Sequence, residues 1–303
     1  MPRVSIIIPT YNRAAWLPRA IESAKVAGDD VEVIVVDNGS TDETAAICRT
    51  IAGIRYLRLD PNVRQARARN AGTKISTGEF LVFLDDDDQR LPNSLDAQIN
   101  LLEDNPEMGF VYGPVLLGDV ENCLPTGESS PAQLLTGDLF WRLLEGNFIH
   151  VPSVMAPRRL VEEAGLFDPE VVGAEDWLLL IRLAERHLVG AVDEPVAICR
   201  VFTRTSGQTS SNRFEMCKAA VRTLTRGLSL PRALEGTAAM RRKARQNCRD
   251  MLTMTLLTEV HADLEENMKS SAVKHFVEAL RVNPKRALTL RTVKWFFFSP
   301  WEK

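Results

Sequence analysis

The chain has no CxxC pair, and its five cysteines (Cys48, Cys123, Cys199, Cys217 and Cys248) are odd in number and widely scattered. That pattern excludes a regular disulfide framework and a zinc–thiolate centre, and it favours a reducing compartment. Long apolar runs are also missing: no stretch suits a membrane-spanning helix. The apolar run at residues 4–8 is too short for the core of a signal peptide, so the expected location is cytoplasmic. Neither a GxGxxG fingerprint nor a P-loop occurs. Histidine is scarce, four in 303 residues, and His150 and His187 read as structural or exposed.

What is present suits a soluble globular chain, with 45% apolar and 25% charged residues. The length allows one large domain or one domain with an appendage. Charge is divided unevenly. Residues 201–303 carry 19 Lys and Arg against 9 Asp and Glu, whereas residues 1–200 carry 18 against 31. An acidic body and a basic appendage follow, the latter facing phosphate, nucleic acid or anionic membrane, or simply presenting solvated helix faces.

Short β-branched or apolar runs at 4–8, 31–36, 54–59 and 80–84 predict buried strands. Helical spacing fills the gaps. Residues 16–26 place Leu17, Ala20, Ile21 and Ala24 on one side. Residues 41–51 have Ser40 or Thr41 as a cap, with Asp42 and Glu43 in the first turn. Residues 63–75 form a third helix. Such alternation predicts an α/β fold, a mostly parallel sheet flanked by helices, with ligands at the carboxyl ends of the strands. Further helices are expected at 91–102 and 174–186, a strand at 109–116, a loop at 118–137, and one or two strands within 189–202. Beyond 213 the pattern is helical. The expected domains are therefore 1–212, α/β, and 213–303, a C-terminal helical region.

Two clusters follow strands, where ligands are expected. Asp85, Asp86, Asp87 and Asp88 end the fourth strand; hard oxygen donors there suit Mg²⁺ or Mn²⁺ on a diphosphate, and no His or Cys lies beside them to suggest zinc. Asp37 and Asn38 end the second strand, where a carboxylate can accept the imide N–H of a pyrimidine base. In the third predicted helix Arg64, Arg67 and Arg69 precede Asn70-Ala71-Gly72; an arginine there offers a forked phosphate contact, and Arg67 reads as solvated. A fourth cluster, Glu175-Asp176-Trp177, opens a helix: acids favoured by the helix dipole, or a general base beside a sugar-stacking ring.

Five segments occur in order: VSIIIPTYNR (4–13), VIVVDNGSTDE (33–43), ARNAG (68–72), GEFLVFLDDDD (78–88) and EDWLLLIRL (175–183). Together they resemble the inverting glycosyltransferase family 2, over roughly residues 3–210. The resemblance implies a GT-A (Rossmann-like) fold and a nucleoside-diphosphate sugar donor, UDP or dTDP favoured. It implies an acceptor hydroxyl on a glycan or lipid-linked molecule, in cell-envelope or extracellular polysaccharide synthesis, and no nucleic-acid partner. It places Pro9, Thr10, Tyr11 and Arg13 in the nucleotide pocket, with Tyr11 stacking on the base. Asp37 or Asn38 would read the base, Arg69 would lie near the nucleotide or its phosphates, and Asp85 and Asp86 would face the donor. Asp85 and Asp87 would hold Mg²⁺ or Mn²⁺. Asp176 would be the general base, with Glu175 the alternative, and Trp177 would stack on the acceptor.

Two departures stand out. Many members have two acids where this chain has Asp37-Asn38. Some add a metal-binding histidine after the last strand, where this chain reads Arg200-Val201-Phe202-Thr203-Arg204. Either acids, phosphates and water suffice for the metal, or Arg204 substitutes by contacting phosphate. A catalytically inactive nucleotide-sugar-binding protein is the alternative; retention of Asp85, Asp87 and Asp176 argues against it. A nucleotidyltransferase would need a glycine-rich phosphate loop after the first strand. Residues 283–303 mix Lys285, Arg286, Arg291, Lys294 and Lys303 with Trp295, Phe296, Phe297, Phe298 and Trp301. That mixture suits peripheral contact with the inner face of a membrane, or aromatic packing onto the body.

Overall fold

The computed structural model describes residues 2–201 and 213–289. Arg204 and the tail residues Arg291, Lys294, Trp295 to Phe298, Trp301 and Lys303 lie outside the described residues. The described residues fall into two compact units, 2–140 with 148–201, and 141–147 with 213–289. Residues 141–147 thus belong to the second unit although they lie far upstream of position 213, the expected start of the helical region.

The first unit opens as the alternation predicts: β1 (Val4–Thr10), α1 (Leu17–Lys25), β2 (Val31–Asp37), α2 (Thr44–Thr50), β3 (Ile54–Arg58), α3 (Gln65–Ile75) and β4 (Phe80–Phe83). It continues through β5 (Gln89–Arg90), α4 (Asp96–Asp104), β6 (Met108–Tyr112), β7 (Val115–Gly118) and β8 (Pro125–Ser130). Next come α5 (Phe140–Glu145), whose first residue alone belongs to this unit, β9 (Met155–Pro157) and α6 (Arg158–Glu163). The last elements are α7 (Glu175–Ala184), β10 (Leu188–Ala191) and β11 (Ala197–Arg200).

The main sheet has the order β10-β6-β9-β4-β1-β2-β3, with β9 the antiparallel member. β1 is buried along its whole length, as expected of a parallel strand covered on both faces. Ile6, Ile8, Val33, Val35 and Val82 share a core with Leu17, Ile21, Ile99 and Leu102 of α1 and α4. Ile7 and Val36 alternate to the opposite face, against α3. There the glycine of ARNAG is required sterically: a Cβ on Gly72 would stand 2.5 Å from Ile7 Cγ2. Its absence lets α3 lie close to β1.

A smaller sheet runs β5-β11-β7-β8. Its edge strand β8 falls in the segment expected to be a loop. Its side chains are almost all exposed, so it carries no apolar alternation and is held by backbone pairing to β7; proline at its first position is typical of an edge. The helical unit contains α8 (Arg213–Gly227), α9 (Pro231–Glu235), α10 (Ala238–Glu265), α11 (Lys269–Val282) and α12 (Pro284–Ala287). Thr237 caps α10, its side chain accepting Met240 N–H. No helix among the described residues is long and apolar enough to cross a membrane.

Candidate active site

β1 and β2 end side by side, with Thr10 in register with Asp37. The loops beyond them are tied together. Asn12 N–H donates to Ser40 Oγ (3.0 Å), and Asn12 Oδ1 accepts from Thr41 N–H (2.7 Å). Ala14 N–H donates to Asp42 (3.2 Å). Ser40 and Thr41, expected to cap α2, serve this cross-loop tie instead. The helix begins later, where Asp42 Oδ1 accepts Thr44 N–H at 3.0 Å.

Asp37 has no exposed surface. One carboxylate oxygen accepts Ser40 N–H (2.8 Å); the other accepts Tyr56 O–H (2.6 Å) and Arg58 Nη1 (2.9 Å). Burial works to raise its pKa, but the hydrogen bonds from Ser40 and Tyr56 and the Arg58 charge outweigh it and hold the carboxyl below its ordinary value. Asp37 thus takes three donors from within the protein, and the oxygen that accepts Ser40 N–H keeps one acceptor capacity. Asn38 beside it is 5% exposed. Its Oδ1 accepts Val63 N–H (2.8 Å) and its Nδ2 donates to Asn62 (3.1 Å), leaving one acceptor and one donor capacity on the amide. Pro9 is buried within β1, and Tyr11 is exposed just past its end.

The four acids after β4 divide into two kinds. Asp85 and Asp87 are partly exposed; Asp86 and Asp88 are buried. Asp86 is pushed well above the usual carboxylate range by burial and by the charge of Asp87, with the Thr10 hydroxyl and the Arg13 charge opposing. Asp88 is raised by burial and by Asp87 and Asp85, and its Oδ1 accepts Arg200 N–H (2.8 Å). Arg200 also donates from Nε to the Asp87 carbonyl (3.1 Å). Its guanidinium lies 4.8 Å from the Trp16 ring centre, and that of Arg13 lies 4.6 Å from the same ring. Thr10 is buried at the end of β1, its hydroxyl toward Asp86.

Arg69 links this edge to α7. It is 2% exposed and donates from Nη2 to Asp85 (2.6 Å) and from Nη1 to Glu175 (3.0 Å). Glu175 Oε2 accepts Gly173 N–H (2.8 Å), so both its oxygens are engaged. Asp176, the next residue, is partly buried. Burial and the Glu175 charge push its carboxyl up to about 6, with Arg69 opposing. Trp177 is only 3% exposed within a nearly all-buried helix. Its side chain lies among the buried hydrophobic residues of this unit.

Sequence reasoning missed Gln65, which donates to Asp85 (3.0 Å), and it missed Tyr56, Arg58, Trp16 and the Arg200 contacts. A signal existed for one pair. Tyr56 and Arg58 alternate onto one face of β3, and Arg58 is in register with Asp37. Among the described residues, no group of three or more His, Cys, Asp or Glu is arranged to hold a metal by protein ligands alone.

An open, mostly parallel sheet with carboxylates at its ligand-binding edge is the architecture of GT-A proteins, and solved structures share it. Staphylococcus aureus TarS in complex with UDP-GlcNAc matches at TM-score 0.63 and 17% identity, over 95% of this chain and 83% of that one. A Pyrobaculum calidifontis mannosyltransferase in complex with GDP-Man and Mn²⁺ matches at 0.61 and 18%, over 97% and 83%. The glycosyl transferase family 2 model matches residues 5–152. An uncharacterized glycosyltransferase of Rickettsia prowazekii is 30% identical over 71% of this chain and 69% of its own length. A GalNAc(5)-diNAcBac-PP-undecaprenol β-1,3-glucosyltransferase of Campylobacter jejuni is 30% identical over 54% and 56%. A Rickettsia felis relative is 29% identical over 71% of this chain, which spans 35% of that relative's length. The chain belongs to glycosyltransferase family 2.

Proposed function

We propose that this chain transfers a sugar, with inversion, from a uridine or thymidine diphosphate sugar to a hydroxyl of a glycan or lipid-linked acceptor in envelope or extracellular polysaccharide synthesis. The observation that carries this reading is Asp176. It is a partly buried carboxyl titrating near 6, one residue from a Glu175 that is ion-paired through Arg69 to Asp85. A base poised just below neutrality is ionised at pH 7 and still basic enough to take a proton. The acceptor oxygen attacks the anomeric carbon, the bond from that carbon to the diphosphate breaks, and the acceptor proton passes to Asp176. Arg69 fixes Glu175 and Asp85 relative to each other, so Glu175 acts as a positioning residue in place of the alternative base. The UDP-GlcNAc bound by the TarS neighbour and the lipid-linked substrate named for the Campylobacter jejuni relative are consistent with this reading.

The residues also fit a divalent cation. Asp85 and Asp87 are hard oxygen donors with partial exposure, just past the end of β4. Two carboxylates are too few for a closed cage, which suits Mg²⁺ or Mn²⁺ shared with a diphosphate. When bound, such a cation would neutralise charge on the leaving diphosphate. The direct test is calorimetric titration of UDP, TDP and GDP, each with Mn²⁺ and with chelator. Metal-dependent binding of UDP or TDP, lost on Asp85→Ala/Asp87→Ala, supports the reading. A folded protein that binds none of the three overturns it.

A further inference from the structure

The helical unit holds an open cleft. Parts of α8, α9, α10 and α11 line about 580 Å³, inside the range of roughly 300–1,000 Å³ common to small-molecule sites. Its floor is hydrocarbon: Leu224, Leu228 and Leu252 are each at most 7% exposed. Val221 and Leu234 also line it, yet they stay 45% and 62% exposed, so the apolar surface continues out to solvent. Arg245 and Arg249 stand at its rim, exposed and four residues apart on α10, hence on one helix face. Like charges at that spacing repel, and an anion placed between them relieves the repulsion. Arg249 Nε donates to the Val282 carbonyl (2.7 Å), which holds its guanidinium at the opening. Neither arginine forms an ion pair among the described residues. Arg281, also at the rim, is neutralised by Glu278 (3.1 Å).

We propose that this cleft binds a single lipid phosphate molecule, its hydrocarbon chain on the leucine floor and its phosphate between Arg245 and Arg249. The floor would accept any apolar chain, and the paired guanidiniums select the one ending in phosphate. The site lies wholly within the helical unit and uses none of the residues at the sheet edge. Its fate is therefore independent of the transfer reaction.

The test is calorimetry on the full chain with dodecyl phosphate below its micellar concentration, and with dodecanol and inorganic phosphate as separate probes. Dodecyl phosphate should bind at least tenfold more tightly than dodecanol, and inorganic phosphate should give no heat. Arg245→Glu/Arg249→Glu, both exposed positions, should weaken dodecyl phosphate at least tenfold and leave dodecanol unchanged. Leu224→Trp, which fills the floor, should abolish both. Equal affinity for dodecanol and dodecyl phosphate overturns the proposal, as does indifference to the arginine reversal. Tight binding of inorganic phosphate would make this a free-anion site. Binding seen only after removal of residues 290–303 would assign the cleft to the chain's own tail.

Discussion

Asp176→Asn should inactivate the protein and stabilise it. The wild-type carboxyl titrates near 6 against an ordinary 3.8, so ionising it in the fold costs about 3 kcal/mol more than ionising it in the unfolded chain. Solvent screening of a partly exposed group halves that to about 1.5 kcal/mol. The sign follows from the raised value: the cost is absent below pH 3.8, develops between 3.8 and 6, and is full above 6. Asparagine removes it, and a gain of that size raises Tm by about 3–6 °C in a unit of this length. Loss of a general base slows transfer about 10²–10⁴-fold, roughly 3–5 kcal/mol of barrier. Wild-type kcat/KM should fall tenfold per pH unit below about 6. Thermal melts at pH 7.5, a nucleotide titration and a sugar-transfer assay on one preparation measure all three quantities. A variant that melts lower than wild type and keeps more than a tenth of its transfer activity would refute the assignment.

Glu175→Gln removes the like charge beside Asp176, so the acidic limb of the pH–rate profile should move to lower pH while measurable turnover persists. An unmoved limb would mean that Glu175 does not set the Asp176 proton affinity. Asp37→Asn takes the buried charge away from Tyr56 and Arg58, Arg58 keeping Asp60, and chemical denaturation should show a loss of about 1.5–3 kcal/mol with no change in the relative affinities for UDP, TDP and GDP. A switch of base preference would return Asp37 to the nucleotide pocket. Gly72→Ala drives a methyl into Ile7, and overpacking of that kind should cost about 1–3 kcal/mol, read as a lower denaturant midpoint at unchanged slope.

The strands were legible in the amino-acid order because each is a short apolar run that must be covered on both faces. The polar residues that follow them therefore lie past the carboxyl ends of the strands, as the alternation predicts. The Glu175-Asp176 pair opening α7 was equally plain. Composition could not reveal β8, whose exposed side chains carry no periodic signal, nor the grouping of residues 141–147 with the helical unit. The finer division within the site came only from folding. Asp85 to Asp88 are four identical residues in one dimension. In three dimensions Arg69 takes Asp85, and Arg200, 112 residues further along, takes the oxygen of Asp88. Asp37 stands out in the sequence only as a carboxylate at a strand end; folding brings Tyr56 and Arg58 of the neighbouring strand onto one of its oxygens. Periodicity tells which way a side chain points relative to its own strand, whereas its partners arrive from distant positions. Only packing decides whether a carboxylate is spent inside the protein or left for a ligand.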